Sequence, residues 1–275
     1  MRKKIIGLVL FIVLFSYTVV PVSSITDIHS IRETLYDGDV PIWEVGDEWT
    51  YHFTESKTYL YNYTLSGDIT LKVIDDSDDS YVLEAKTKPH GTFDLGGYGL
   101  KATRLTTLSM RLTMRKNDLG LESFVEKYKG IFLIRMGSIT LPIPIHFTGY
   151  YNIKFDPTWA LIPFPLYNGK SGMLSGTEIL HNVYMGLFWG LIPVYGPDNY
   201  SRIITPIPYT CSEEQITVDA GTFDVFKVSA ERMDGSQFVS YYSGEVGNVA
   251  KEIIYIPYGG GTVWHSLILE LKDWS

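Results

Sequence analysis

The chain has 275 residues, a formal net charge of −8 and 45% hydrophobic residues. An acidic chain of this kind lacks the basic surface that nucleic acids and anionic lipids require, so we expect neither as a partner. Its one cysteine, Cys211, cannot form an internal disulfide. The fold must therefore depend on an apolar core, in which we expect this thiol to be buried.

The first 24 residues have the layout of a secretory signal. The basic head Arg2–Lys4 precedes an apolar run from Ile5 to Val20, and the small residues Ser23 and Ser24 follow. We predict a signal peptide over residues 1–24, forming an N-terminal signal helix, and an extracytoplasmic location, secreted or at the cell surface. An uncleaved anchor is the alternative, although the run spans only about 24 Å as a helix against about 30 Å of bilayer core.

The segment after the signal differs in composition from the domain that follows it. Residues 25–40 are polar and mixed, and we interpret them as a linker. A folded domain over residues 41–275 is expected, with two related halves, 41–160 and 161–275, as a further option. The reason is a faint echo between the stretches before Gly46 and Gly169, each of which places a proline and apolar residues ahead of a glycine-centred turn.

Alternating patterns open the domain. Trp49, Tyr51 and Phe53 alternate with polar residues, which predicts a strand with one aromatic face. Two more alternating runs flank the acidic segment Asp75–Asp79, and this arrangement predicts a hairpin with an acidic tip.

One segment has helical spacing instead. Between Gly120 and Gly130, apolar residues recur at positions i, i+3, i+4 and i+7: Leu121, Phe124, Val125 and Tyr128. This spacing favours a short amphipathic helix, with a strand as the competing interpretation.

The middle of the domain is rich in proline. Alternation over 141–147 places Pro142 and Pro144 in a strand, and proline cannot donate to a ladder, so we expect that strand at a sheet edge. Further on, Tyr184–Tyr195 is almost wholly apolar, interrupted by Gly186 and Gly190. It is interpreted in three ways: a buried connection, the lining of an apolar pocket, or an exposed patch that meets another protein or a membrane surface.

The C-terminal third returns to regular alternation. Strand patterns cover residues 216–218, 223–228, 238–242, 250–256 and 263–271, and His265 lies on the apolar face of the last one. About ten strands without βαβ spacing predict an all-β protein with minor α content, built as a curved antiparallel sheet or open half-barrel.

Motifs for catalysis are lacking in this sequence. It contains no G-x-S-x-G, H-E-x-x-H or S-x-x-K, and its six histidines have no metal-ligand spacing. We therefore predict no catalytic residue, no metal and no cofactor, and we leave enzyme activity uncertain, leaning towards none. Asn62 and Asn199 each open an Asn-X-Ser/Thr sequon and are the candidate glycosylation sites.

Four short segments carry a resemblance to a known class. The segments are Trp43–Tyr51 (a W-x-x-G-D-x-W-x-Y opening), Phe164–Lys170, Asp219–Val228 and Tyr241–Val249. Together they resemble secreted β-proteins of archaea and bacteria, which in turn resemble the LolA/LppX-like lipoprotein carriers. That resemblance implies a curved antiparallel sheet around an apolar cavity, and it implies no reaction.

The favoured function is non-catalytic binding or carriage of an apolar or amphiphilic ligand, such as a lipid. The candidate contacts are Tyr184, Met185, Phe188 and Trp189, with Trp49, Tyr51 and Phe53 as a cavity wall. One alternative is a structural or protein-interaction module of the cell envelope, touching the membrane only through an uncleaved signal or by surface contact. Another is a hydrolase with a distributed active site.

Overall fold

A computed structural model describes residues 38–57, 62–87, 89–94, 100–136, 139–258 and 262–275 of the chain. The described residues form strands joined by turns and loops, without a helix, and the predicted all-β class is confirmed. None of the described residues belongs to a helix long and apolar enough to cross a membrane. The predicted signal over residues 1–24 and most of the predicted linker lie outside the described residues.

Fifteen strands make up the described part of the chain. In order they are β1 Glu48–Lys57, β2 Asn62–Asp76, β3 Ser80–Thr87, β4 His90–Asp94, β5 Leu100–Arg115, β6 Leu121–Met136, β7 Ile139–Trp159, β8 Ser171–Leu174, β9 Thr177–Leu187, β10 Ile192–Ile204, β11 Ile207–Val218, β12 Gly221–Glu231, β13 Gln237–Ser243, β14 Asn248–Tyr258 and β15 Thr262–Trp274.

All of these strands belong to one antiparallel sheet. Its order is β10-β9-β7-β6-β5-β3-β2-β1-β15-β14-β13-β12-β11-β8, and β4 pairs with β2 and β5 beside this path. The sheet is not closed. Because β1 pairs with β15 and β7 pairs with β9, both halves of the chain contribute to one continuous surface.

The curvature of the sheet follows from how its two ends are connected. Strand β8 lies at one end and β9 near the other, yet only Ser175 and Gly176 separate them along the chain. A connection of two residues spans about 10 Å, so the ends must lie close together and the sheet must bend strongly. Glycine fits this bend, because a Cβ on Gly176 would lie 2.6 Å from the carbonyl oxygen of Ile204.

Buried side chains gather on the concave face of the bent sheet. Trp49, Tyr51 and Phe53 are 3%, 1% and 0% exposed, which confirms the predicted aromatic face of β1. The predicted hairpin is also confirmed, since β2 and β3 flank an exposed acidic tip at 75–79. Cys211 is buried in the core as expected, and burial raises the pKa of its thiol.

The predicted helix at residues 121–128 is wrong, because this segment is the start of β6. Phe124 and Tyr128 are buried on the concave face, as strand alternation requires. A register shift between Leu121 and Ser123 then lets Leu121 reach the same interior as Phe124. That irregularity produces a spacing of three residues, which imitates a helix.

The strand that carries Pro142 and Pro144 is not the edge strand that we expected, because β7 lies between β6 and β9. Its proline-rich part nevertheless pairs mainly on one side: Leu141 and residues 144–146 are opposite β6, whereas the pairing with β9 begins at Phe147, opposite Leu187. Proline is therefore tolerated there, because one side of this stretch lies beyond the end of β9.

Candidate functional site

The concave face encloses an apolar cavity of about 250 Å³. Its walls come from the central strands of the sheet and from the loops that cover them. Most lining side chains are apolar: Trp43, Tyr51, Ile69, Leu71, Met110, Leu112, Met114, Leu119, Leu121, Phe124, Trp159, Leu161, Ile162, Val249, Ile254, Leu267 and Leu269. Several of them, such as Leu71 and Leu112, are only half-buried although they face the interior, because space adjoins them.

The first cover of the cavity is the segment that precedes β1. Trp43 is 3% exposed and lies against Trp49 and Tyr81, with ring centroids 5.0 and 5.2 Å away. Its backbone N–H donates to the hydroxyl of Tyr81 at 3.1 Å, and its indole N–H donates to the carbonyl of Gly247 at 2.8 Å. Trp43 therefore ties the segment to both sides of the bent sheet.

The second cover is the loop between β7 and β8. Leu161 and Ile162 line the cavity, and Leu166 is buried behind them. The backbone N–H of Leu166 donates to the carbonyl of Gly38 at 2.5 Å, which joins the two covers. Lys170 holds the loop in shape, because its ammonium group donates to the carbonyl of Pro165 at 2.6 Å.

Four polar side chains also line the cavity: Ser240, Asn248, Glu252 and His265. Glu252 lies on β14, directly opposite Ser240 on β13 and Leu269 on β15. It is 7% exposed, and burial raises the pKa of its carboxyl to about 8, against the opposing effect of a hydrogen bond from Ser240. The carboxyl is therefore largely protonated at neutral pH.

A buried pair of polar side chains joins β15 to β1. The Nε2 atom of His265 is 2.8 Å from Oε1 of Glu55, with side chains 3% and 1% exposed. Tyr51 lies four residues before Glu55 on β1, and its hydroxyl donates to the carbonyl of Val249 at 3.0 Å. Burial, and secondarily the charge of Glu252, raises the pKa of the Tyr51 phenol. The cavity thus combines apolar walls with a few fixed polar groups, as small-molecule sites do.

The residues proposed as ligand contacts occupy three different surroundings. Tyr51 lines the cavity, while Trp49 and Phe53 are buried on the same face of β1. Met185 is buried in the core and Tyr184 is half-buried, both on β9. Phe188 and Trp189 are 42% and 67% exposed in the β9–β10 turn, away from the described cavity lining.

That turn is a second notable feature, which we call the apolar turn (residues 188–192). Leu191 and Ile192 are 81% and 53% exposed, so its apolar side chains face solvent. Phe188 and Trp189 adopt left-handed φ values of 50° and 60°, which bulky residues rarely adopt. The hydroxyl of Tyr184 fixes the turn by donating to the carbonyl of Gly190 at 2.5 Å. The predicted apolar segment is therefore divided between a buried strand and an exposed turn.

The histidines of the strands do not converge. His52 forms a surface pair with Asp68 at 3.0 Å, His146 stacks on Trp189 with ring centroids 4.6 Å apart, and His265 is buried. Within the described ranges, no group of three or more His, Cys, Asp or Glu side chains is placed to hold a metal.

The candidate glycosylation sites both lie on strands. Asn199 is exposed on β10, and Asn62 is the first residue of β2. Glycosylation of either stays a prediction.

Glu252 is the residue that sequence reasoning overlooked. Its signal is visible in retrospect, because Ala250, Glu252, Ile254 and Ile256 share one face of a predicted strand that is otherwise apolar. A charged residue at such a position indicates either a satisfied core group or a functional one. Comparison of the chain with protein-family models, with curated proteins and with solved structures finds no match.

Proposed function

We propose that this protein binds an apolar or amphiphilic ligand in the cavity beneath Trp43 and carries it without chemical change, outside the cytoplasm or at the cell surface. The observation that supports this most directly is the cavity itself, about 250 Å³ lined mainly by aliphatic and aromatic side chains. An apolar cavity of about 150 Å³ already binds benzene, so this one has room for a chain of about ten non-hydrogen atoms.

The covers favour binding over simple incomplete packing. Trp43 and the β7–β8 loop are held by specific hydrogen bonds, at Gly247 for the indole and at Gly38 for Leu166. These bonds fix the covers above the space instead of letting side chains fall into it. Native cores are close-packed and leave few voids larger than a water molecule, so a cavity of this size favours ligand binding over simple core packing.

Extraction tests the proposal directly. Residues 25–275 are purified from their host, extracted with organic solvent and analysed by mass spectrometry. We expect an apolar compound near one equivalent in the wild-type protein and its loss in Leu112→Trp, which fills the cavity. Leu180→Trp, at an exposed position on β9, is the matched control and should retain the compound. Equal, trace amounts in all three proteins would contradict the proposal.

The apolar turn favours a second candidate, a contact with another protein of the cell envelope. The turn exposes four apolar side chains, and two of them, Phe188 and Trp189, have a left-handed backbone, which is unusual for a surface turn. Sedimentation velocity of the wild type and Trp189→Ser tests the simplest version, self-association. Concentration-dependent association that Trp189→Ser abolishes would favour the interaction module, and a monomer in both proteins would count against that version.

A further inference from the structure

Glu252 is the only carboxylic acid among the described residues that line the cavity. Its side chain is more than nine-tenths buried, and its Oε1 atom has no hydrogen-bond partner among the described residues. A buried polar atom without a partner costs free energy, because it has lost its hydrogen bonds to water and gained none in return. An occupant of the cavity that bonds this oxygen would recover that cost.

The surroundings of Glu252 decide which head group fits. Opposite it on the neighbouring strands are Ser240 and Leu269, and Ile254 follows it on the same face of β14. Ser240 donates to the carboxyl, and the Tyr51 phenol lies near enough to be influenced by its charge. His265 is four residues along β15 from Leu269, about 13 Å at strand spacing, and is already bonded to Glu55.

Among the described residues, no cation therefore faces the carboxyl from the strands packed against it, and the phenol of Tyr51 is itself committed to the carbonyl of Val249. A protonated carboxyl both donates and accepts a hydrogen bond. Its best complement is a head group that also does both and carries no charge, because a charged head would have to be desolvated as well.

We propose that the cavity holds a single-chain amphiphile with an uncharged head, in which a hydroxyl pairs with the Glu252 carboxyl and the tail lies against Leu71, Leu112 and Met114. This inference rests on the proposed function and adds the chemical class of the ligand. Glu252 is then the specificity-determining residue of the site, and the half-buried side chains that adjoin the space form the walls for the tail.

Two isomeric probes isolate the hydroxyl. 1-Octanol and dibutyl ether have the same formula and nine non-hydrogen atoms, but the ether cannot donate a hydrogen bond. In calorimetric titrations of residues 25–275 at pH 6.5, we expect 1-octanol to bind about tenfold more tightly than dibutyl ether. One hydrogen bond to a buried group contributes about that factor to affinity. Octylamine and octanoate, charged at this pH, should bind more weakly than 1-octanol.

Variants assign the preference to the carboxyl. Glu252→Leu should bind the alcohol and the ether equally while melting at the same or a higher temperature, since it removes a buried polar group. Glu252→Gln keeps a donor and an acceptor and should retain most of the preference. Glu231→Gln, at an exposed position on β12, is the control and should match the wild type.

The possible failures are distinguishable. Equal binding of both probes by the wild type, or a preference that survives in Glu252→Leu, would overturn this inference and leave the proposed function standing. Tighter binding of octylamine or octanoate would overturn the uncharged head group. Absence of binding by every probe would count against the proposed function and this inference together.

Discussion

Two tryptophans, each next to a glycine-containing turn, have opposite surroundings in this molecule. Trp43, three residues before Gly46, is 3% exposed, and Trp189, directly before Gly190, is 67% exposed. Trp43 bonds to Gly247, more than two hundred residues away in the chain, whereas Trp189 stacks on His146, within the neighbouring strand β7. The difference shows that long-range partners, and not local apolar character, decide whether such a turn covers the core or projects from it.

The same contrast separates two regions of the bent sheet. Around Trp43, two covers cross the concave face and are bonded to each other through Gly38 and Leu166. Around Trp189, β9 and β10 are joined by a turn that presents aromatic side chains outward. The first region therefore contributes to stability and to the cavity, and the second is available for contacts.

The largest expected effect is on stability. Trp43→Ala should lower the free energy of unfolding by about 3–5 kcal/mol, because a buried indole and its hydrogen bonds are lost. Trp189→Ala should change it by less than about 0.5 kcal/mol, as exposed substitutions do. Urea unfolding of both variants measures the difference. Similar losses of unfolding free energy in the two variants would contradict the difference described between the turns at Trp43 and Trp189.

The next effect depends on pH. Glu252 has a folded pKa of about 8 against an ordinary value of 4.5, so the folded state holds the proton more tightly than the unfolded state. Its contribution to stability is fully present below pH 4.5 and is lost as pH rises through 8. The free energy of unfolding of Glu252→Gln, taken relative to that of the wild type, should therefore rise by on the order of 3 kcal/mol from pH 5 to pH 8. Urea midpoints at both pH values measure this, and a constant difference between the proteins would contradict it.

A smaller effect is expected at the inner hydroxyl of β1. Tyr51→Phe removes the hydrogen bond to Val249 and leaves that carbonyl without this donor. We expect a loss of about 1 kcal/mol in thermal or urea unfolding. Tyr255→Phe, at a half-buried position on β14, is the control and should lose less. Equal losses would mean that the Tyr51 hydroxyl adds nothing specific to the wall of the cavity.

The smallest expected effect is on fluorescence quenching, which compares exposed and buried tryptophans without changing the fold. Iodide reaches only exposed indoles, so Trp189→Phe should reduce the quenchable fraction of the tryptophan fluorescence. Trp159→Phe removes an indole that is 2% exposed and should leave that fraction undiminished. A quenchable fraction that is unaffected by Trp189→Phe would show that the apolar turn is covered in solution.

The sequence predicts most of the sheet because alternation is a local property. The buried face of β1 at Trp49, Tyr51 and Phe53 follows directly from period-two spacing. The spacing over 121–128 favours a helix over the competing strand because the register shift beside Leu121 depends on pairing with β7, which no local pattern encodes. The tight connection between β8 and β9 likewise depends on the close approach of Ile204, on another strand, to Gly176.

The candidate site was less predictable than the sheet. Alternation predicts that Tyr51 lies on the buried face of β1, the resemblance to lipoprotein carriers implies a cavity beside that face, and Tyr51 lines the cavity. The wall residues of β5 and β14 meet it only because the sheet bends, and the covers depend on bonds between distant segments such as Gly38 and Leu166. The apolar run from Tyr184 drew attention through composition, but composition does not reveal that a turn within it projects outward.

Xenon binding, followed by NMR of methionine methyl groups, tests the central claim most directly, because this apolar atom enters accessible hydrophobic cavities without knowledge of the ligand. Met110 and Met114 line the cavity, while Met173 and Met233 are exposed elsewhere. The account predicts saturable shifts of the Met110 and Met114 methyl signals, with the two exposed methyls nearly unmoved. Absence of any saturable shift at Met110 and Met114 would contradict an accessible apolar cavity beneath Trp43.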